Sequence, residues 1–267
     1  MPHNKQKPKS IREAIIWTLA YFDVFDYPPT FFEVWRHLLW WQTSLDEVAQ
    51  ELDRLVQEKI LATHHSFYFF PGKKFTVAER QRRYDHSEIL WRRATRAIHI
   101  LSYMPFIQSI MVVNSLSFFN CRDTSDIDLL IITSKSKIWT TRALSTFLLH
   151  ILGLRRHGKK TKGRICLSFY ISEDQLNLDY IARDELGFFV ALWIAQAAPI
   201  LNKHKVFQKF WDANTWVRTI VPQAEPHITN YAMNFHNSFV SHTGSKILEI
   251  FLVPSFFEFK GRFLTKN

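Results

Sequence analysis

NSLSFFNCRDTSDIDLLIIT, residues 114–133, runs from a polar turn through two aspartates one residue apart into a string of branched apolar residues. Ile127–Thr133 has the length and composition of a buried strand, with Asp126 and Asp128 at its start. Residues two apart on a strand point to one face with a spacing of ~7 Å, so the two carboxylates lie side by side while Ile127 and Leu129 face the other way. Such a pair can bracket a hard cation. Mg2+ takes oxygen ligands and is usually held by one or two carboxylates together with substrate phosphates. The same pattern also fits two solvated residues that merely open a buried strand.

Working outward, Ile107–Val113 reads as a strand that gives way at Asn114-Ser115 to a short helix. Backbone amides and the Ser115 hydroxyl would then face an anion at that helix start. Downstream, a helix is expected over residues 136–154, then the loop RRHGKKTKGR (155–164), a strand over Ile165–Ile171, and helices over residues 180–198. Strands alternating with helices indicate an α/β or α+β layer. Strand, Ser-type turn, helix and an Asp-x-Asp strand together resemble the nucleotidyltransferase superfamily that includes DNA polymerase beta, over roughly residues 105–172.

The resemblance implies transfer of a nucleoside monophosphate from an NTP to an unidentified acceptor, with Mg2+ as cofactor. Asp126 and Asp128 would be the metal-holding catalytic carboxylates, and Asn114 and Ser115 would bind the terminal phosphates. Two departures stand out. Asn114 replaces the family's glycine, and Asn tolerates positive φ better than most residues. The later strand, RICLSFYIS, has no acid where the family places a third carboxylate; Cys166, Ser168 and Tyr170 are expected on one face, and Glu173, Asp174 and Asp179 follow only after it. The alternative is therefore a catalytically degenerate nucleotide-binding regulator or a nucleic-acid- or protein-binding module.

The expected fold class is α+β, with residues 1–80 winged-helix-like, 81–104 a connecting helix, 105–175 the nucleotidyltransferase core with covering helices, 176–221 a helical extension, and 222–267 unassigned. Ser10/Glu13, Thr30/Glu33 and Ser44/Glu47 have capping-box spacing and mark three helix starts. A hairpin is expected from strands over residues 66–70 and 75–77. The exposed face of the third helix carries Asp46, Glu47, Glu51, Asp53 and Glu58, a sign of charge that opposes entry into a DNA groove. Arg155, Arg156, Lys159, Lys160, Lys162 and Arg164 form a basic loop suited either to solvation or to contact with phosphate or nucleic acid.

With 267 residues, 47% of them hydrophobic, and 24 Phe, the chain can fill a large core. Cys121 and Cys166 have no metal-ligand spacing and suggest neither disulfide nor zinc, in keeping with a reducing cytoplasm. The longest apolar stretches are broken by Arg142, Glu249 and Pro254 and fall short of a bilayer span, so no transmembrane segment is expected. The net charge of +10 favours anionic partners.

Overall fold

A four-stranded mixed sheet organises residues 107–202. The computed structural model describes residues 7–182, 187–227 and 231. The fold is α+β, and residues 7–227 fall within one unit, Met1–Asn234.

Three helices open the chain: α1 (Ile11–Asp23), α2 (Phe31–Arg36) and α3 (Leu45–Gln57). Thr30 and Ser44 make complete capping boxes with Glu33 and Glu47. Ser10 accepts from the Glu13 amide at 3.2 Å, but the Glu13 carboxylate turns to the Lys9 amide at 2.7 Å instead of closing the box. Ala14, Ile15, Leu19, Val34, Leu38, Val48, Leu52 and Leu55 share one core at helical spacing. Glu51, expected on the exposed face of α3, is 7% exposed and lies 3.3 Å from Arg54 and 3.9 Å from Arg12. Burial beside two arginines removes part of the acidic face expected there.

The hairpin is displaced from its expected position. β1 (Ala62–His64) and β2 (Phe67–Phe69) pair antiparallel through His65-Ser66, both at positive φ. A two-residue turn of that handedness matches the twist of its flanking strands. Phe75–Val77, expected as a strand, is instead the first turn of α4 (Phe75–Ser102). Its aromatic and branched residues carry strand propensity, which tertiary packing overrides.

Among the described residues the remaining strands and α-helices are β3 (Ile107–Val112), β4 (Ile127–Thr133), α5 (Ile138–Ile151), β5 (Ile165–Ser172), α6 (Gly187–Ala195), β6 (Ala198–Asn202) and α7 (Val206–Ala213). The sheet order is β5-β4-β3-β6. β3 runs antiparallel to β4 and β6, and β4 runs parallel to β5 through α5. The segment expected as a helical extension thus contains a strand. Pro199 disguises β6 in sequence, and an edge strand is where proline is tolerated.

Alternation along the strands divides the core. Ile110, Val112, Ile127, Leu129 and Ile131 pack with Leu90, Trp91, Ala94 and Ile98 of α4. Met111, Val113, Leu130 and Ile132 face the other way, into a cluster with α6, α7 and the α1 residues Tyr21 and Phe22. The sheet's second face therefore shares its core with the N-terminal helices. Of residues 222–267, only 222–227 and 231 are described; the packing of Ile247, Phe251 and Phe256 lies outside the described residues. Among the described residues no helix is long and apolar enough to cross a membrane.

Candidate functional site

Two parallel strands bring the site together at their N-terminal ends. The β4–β5 register sets Asp128 opposite Cys166, and Asp126 immediately precedes β4. One donor atom each from Asp126, Asp128 and Cys166 lies within 4.8 Å of the other two. The carboxylate pair read from the sequence is therefore adjacent in space, and a thiol joins it from the strand that lacks an acid. Cys166 has no metal-ligand spacing in the sequence; parallel pairing of β4 with β5 puts it beside the aspartates.

The register also slips along β5. Asp128 pairs with Cys166, but Leu130 pairs with Phe169, so β5 carries one extra residue. That bulge reverses the alternation beyond it. Tyr170 is consequently not on the Cys166 face as expected. Its phenol meets Ser145 of α5 at 2.6 Å, whereas Phe169 lies against Trp193 of α6 with ring centroids 5.3 Å apart.

Asn114 occupies the left-handed region at φ +59°, the conformation for which glycine or asparagine is suited. Its Nδ2 donates to Asp128 Oδ2 at 2.8 Å, and its Oδ1 accepts from Trp193 Nε1 at 2.9 Å. An indole N–H only donates, so this bond fixes the orientation of the amide and aims its donor at the carboxylate. Trp193 falls within the helices expected over residues 180–198, and no local sequence signal marks this contact. Ser115 lies on a single 3-10 turn, Asn114–Leu116, at the place where a short helix was expected. Its Oγ sits 3.5 Å from Cys121 Sγ.

Burial pushes the Asp128 carboxyl above the ordinary carboxylate range; the Asn114 and Cys166 contacts oppose that rise, and the charge of Asp126 adds to it. Burial likewise raises the Cys166 thiol, against the Ser168 hydroxyl at 2.8 Å and with the Asp128 charge. Arg156 reaches in from the basic loop. Its Nη1 lies 2.6 Å from Asp126 Oδ2 and 4.0 Å from Cys166 Sγ.

The rest of that loop frames the site. The Gly163 amide donates to Ser125 O, and the Ile127 amide donates to Arg164 O, each at 2.8 Å, fastening its end to the aspartate strand. Gly163 lies so close to the Arg93 guanidinium that an added Cβ would stand 2.5 Å from Nη1. Arg155 pairs its backbone with α5, its amide donating to Leu149 O at 3.0 Å, while Lys159, Lys160 and Lys162 are exposed. Glu173 and Asp174 follow the opposite end of β5, about 20 Å along the strand from Cys166. They are bound there to Lys135, the Glu173 carboxylate accepting from its amide at 3.2 Å. They do not replace a third acid.

The donor set suits a divalent cation: two carboxylates match Mg2+, whereas the thiol does not. No protein-family model, curated protein or solved structure matches the chain.

Proposed function

We propose that the chain is a nucleotidyltransferase of the polymerase-beta type, using a divalent cation and an NTP, with a winged-helix-like N-terminal part. The observation that carries this reading is the gathering of Asp126 and Asp128 at the head of β4, with Asn114 holding Asp128 from the turn after β3. Mixed strand order and the parallel β4-α5-β5 unit agree with it.

In this reading Asp126 and Asp128 would hold the divalent cation, Mg2+ by the resemblance, which when bound would neutralise charge on the triphosphate. Asn114 keeps Asp128 in place, the Asn114–Leu116 turn offers amides and the Ser115 hydroxyl to the terminal phosphates, and Arg156 exchanges Asp126 for a phosphate oxygen. An acceptor oxygen attacks the α-phosphorus as the bond to pyrophosphate breaks, a displacement that depends chiefly on positioning and charge stabilisation. Lys159, Lys160 and Lys162 lie on the flanking loop, where a polyanionic acceptor would be attracted.

The test is calorimetry with a non-hydrolysable NTP and Mg2+. Asp126→Asn and Asp128→Asn should each abolish metal-dependent binding; unchanged affinity in either would sink the site. A second reading, nucleotide binding without transfer, draws support from Cys166 standing where the resemblance calls for an acid. Labelled NTP incubated with cell extract separates the two, because only the enzyme moves label to an acceptor and releases pyrophosphate.

A further inference from the structure

We infer that this site selects a thiophilic divalent cation of the Co2+/Zn2+ class, with Cys166 as its third protein ligand beside Asp126 and Asp128. The inference rests on the nucleotide reading only in taking the two aspartates as ligands.

Three donors of two kinds converge, two hard carboxylate oxygens and one soft sulfur. Their ligand atoms lie within 4.8 Å of one another, and all three belong to adjoining strand ends, Cys166 being paired directly with Asp128. A tetrahedral ion with metal–sulfur and metal–oxygen distances of about 2.3 and 2.1 Å spaces its ligands by roughly 3.5 Å. Side-chain rotations of about an ångström close the difference without moving the strands. Three protein ligands with a fourth position open to water or substrate is the usual make-up of a catalytic zinc site, not a sealed structural one.

The surroundings complete the case. Ser168 Oγ, 2.8 Å from Cys166 Sγ, is placed to hydrogen-bond a thiolate, as Asn114 is placed to hydrogen-bond the Asp128 carboxylate. Such outer partners orient the ligands of metal sites and tune them. Independently, the Arg156 guanidinium spans Asp126 Oδ2 at 2.6 Å and Cys166 Sγ at 4.0 Å. The protein's own cation therefore already lies across two of the three donors. Mg2+ would use the carboxylates and leave the sulfur idle, because hard cations take oxygen; a borderline cation gains the third bond, with the thiol proton released to solvent.

The experiment uses the full chain and CoCl2 without nucleotide. Wild type should develop a thiolate-to-cobalt charge-transfer absorption in the near ultraviolet, displaced by Zn2+. Cys121 and Cys166 are the chain's two cysteines. Cys166→Ser should lose the band and weaken Co2+ binding by at least the ~10–100-fold that losing an outer partner alone costs. Cys121→Ser should keep both band and affinity. Cys166→Asp guards against misfolding as the explanation: it should retain Co2+ binding by calorimetry, lose the sulfur band and bind Mg2+ about tenfold tighter than wild type. Absence of the band in wild type, its persistence in Cys166→Ser, its loss in Cys121→Ser, or unchanged Mg2+ affinity in Cys166→Asp overturns the assignment. A cobalt band without NTP binding removes the nucleotide function alone; NTP binding without the band removes this inference alone.

Discussion

Glu33→Gln and Arg80→Met, made singly and together, test whether charge locks the N-terminal helices to α4. Glu33 Oε1 accepts from Arg80 Nη2 at 2.8 Å and from the Tyr27 hydroxyl; Oε2 accepts from the Thr30 amide at 2.8 Å and from Arg80 Nη1 at 2.9 Å. Arg80 also donates to Pro28 O and sits 4.0 Å from the centroid of the Tyr27 ring. The two charged side chains are only 14% and 24% exposed. Removing one member of a fully buried pair costs about 3–5 kcal/mol, because the other charge is left unpaired. Residual exposure reduces this, so each single change should cost about 2–3 kcal/mol.

The double variant orphans neither charge, and the amide that Glu33→Gln introduces retains partners in Thr30 and Tyr27. Its cost should fall about 2 kcal/mol short of the sum of the singles. Guanidinium unfolding followed by tryptophan fluorescence measures all four corners of the cycle, and each single change should lower Tm by roughly 4–10 °C at this size. Burial alone would raise Glu33, but Arg80 overrides it and the net displacement from 4.5 is downward. The contribution is thus complete above that value and lost as pH falls through the lower folded pKa, so the wild-type advantage should shrink in acid. Additivity within about 0.5 kcal/mol would refute the argument, for it would mean that water already screens the pair.

Trp193→Phe keeps a ring beside Phe169 but removes the donor to Asn114; we expect a stability loss of about 1 kcal/mol and metal affinity weakened ~10–100-fold. Equal metal affinity by calorimetry would show that Asn114 is oriented without the indole. Arg156→Ala should act with opposite signs, tightening metal binding alone by up to about fivefold by freeing Asp126, and weakening metal–NTP binding. Titrations with and without nucleotide check it, and a change of the same sign in both contradicts the proposed exchange. Burial, with the charges of Arg36 and His37 adding, lowers His227 from 6.5 to about 4. A His with depressed folded pKa favours its neutral form, so stability is complete above pH 6.5 and declines as pH falls toward 4, by up to about 3 kcal/mol. Denaturation curves of wild type and His227→Asn across that range should converge toward acid pH.

Local signals that matched their surroundings were legible. Ile127–Thr133 is the strand its branched residues indicate, and the hydroxyls of Ser10, Thr30 and Ser44 cap helices as their spacing requires. What stayed hidden depends on pairing between distant segments. Cys166 reaches the aspartates through strand register, Trp193 reaches Asn114 from a helix 79 residues on, and the β5 bulge turns Tyr170 away from the face that simple alternation gives it. A period-two reading carries no sign of a bulge, and neither His65-Ser66 nor Pro199 advertises the hairpin turn or the edge strand it belongs to.

The extra residue in β5 also divides that strand into two halves that can change independently. Upstream, position 166 answers to Asp126 and Asp128; downstream, Tyr170 is anchored on Ser145 and holds α5. Because the irregularity lies between them, altered bulk or charge at 166 is expected to be taken up at Leu167-Ser168 before it reaches that anchor. Cys166→Asp should therefore leave the Tyr170–Ser145 contact in place, so that the chemistry offered to Asp126 and Asp128 can be changed at a single position.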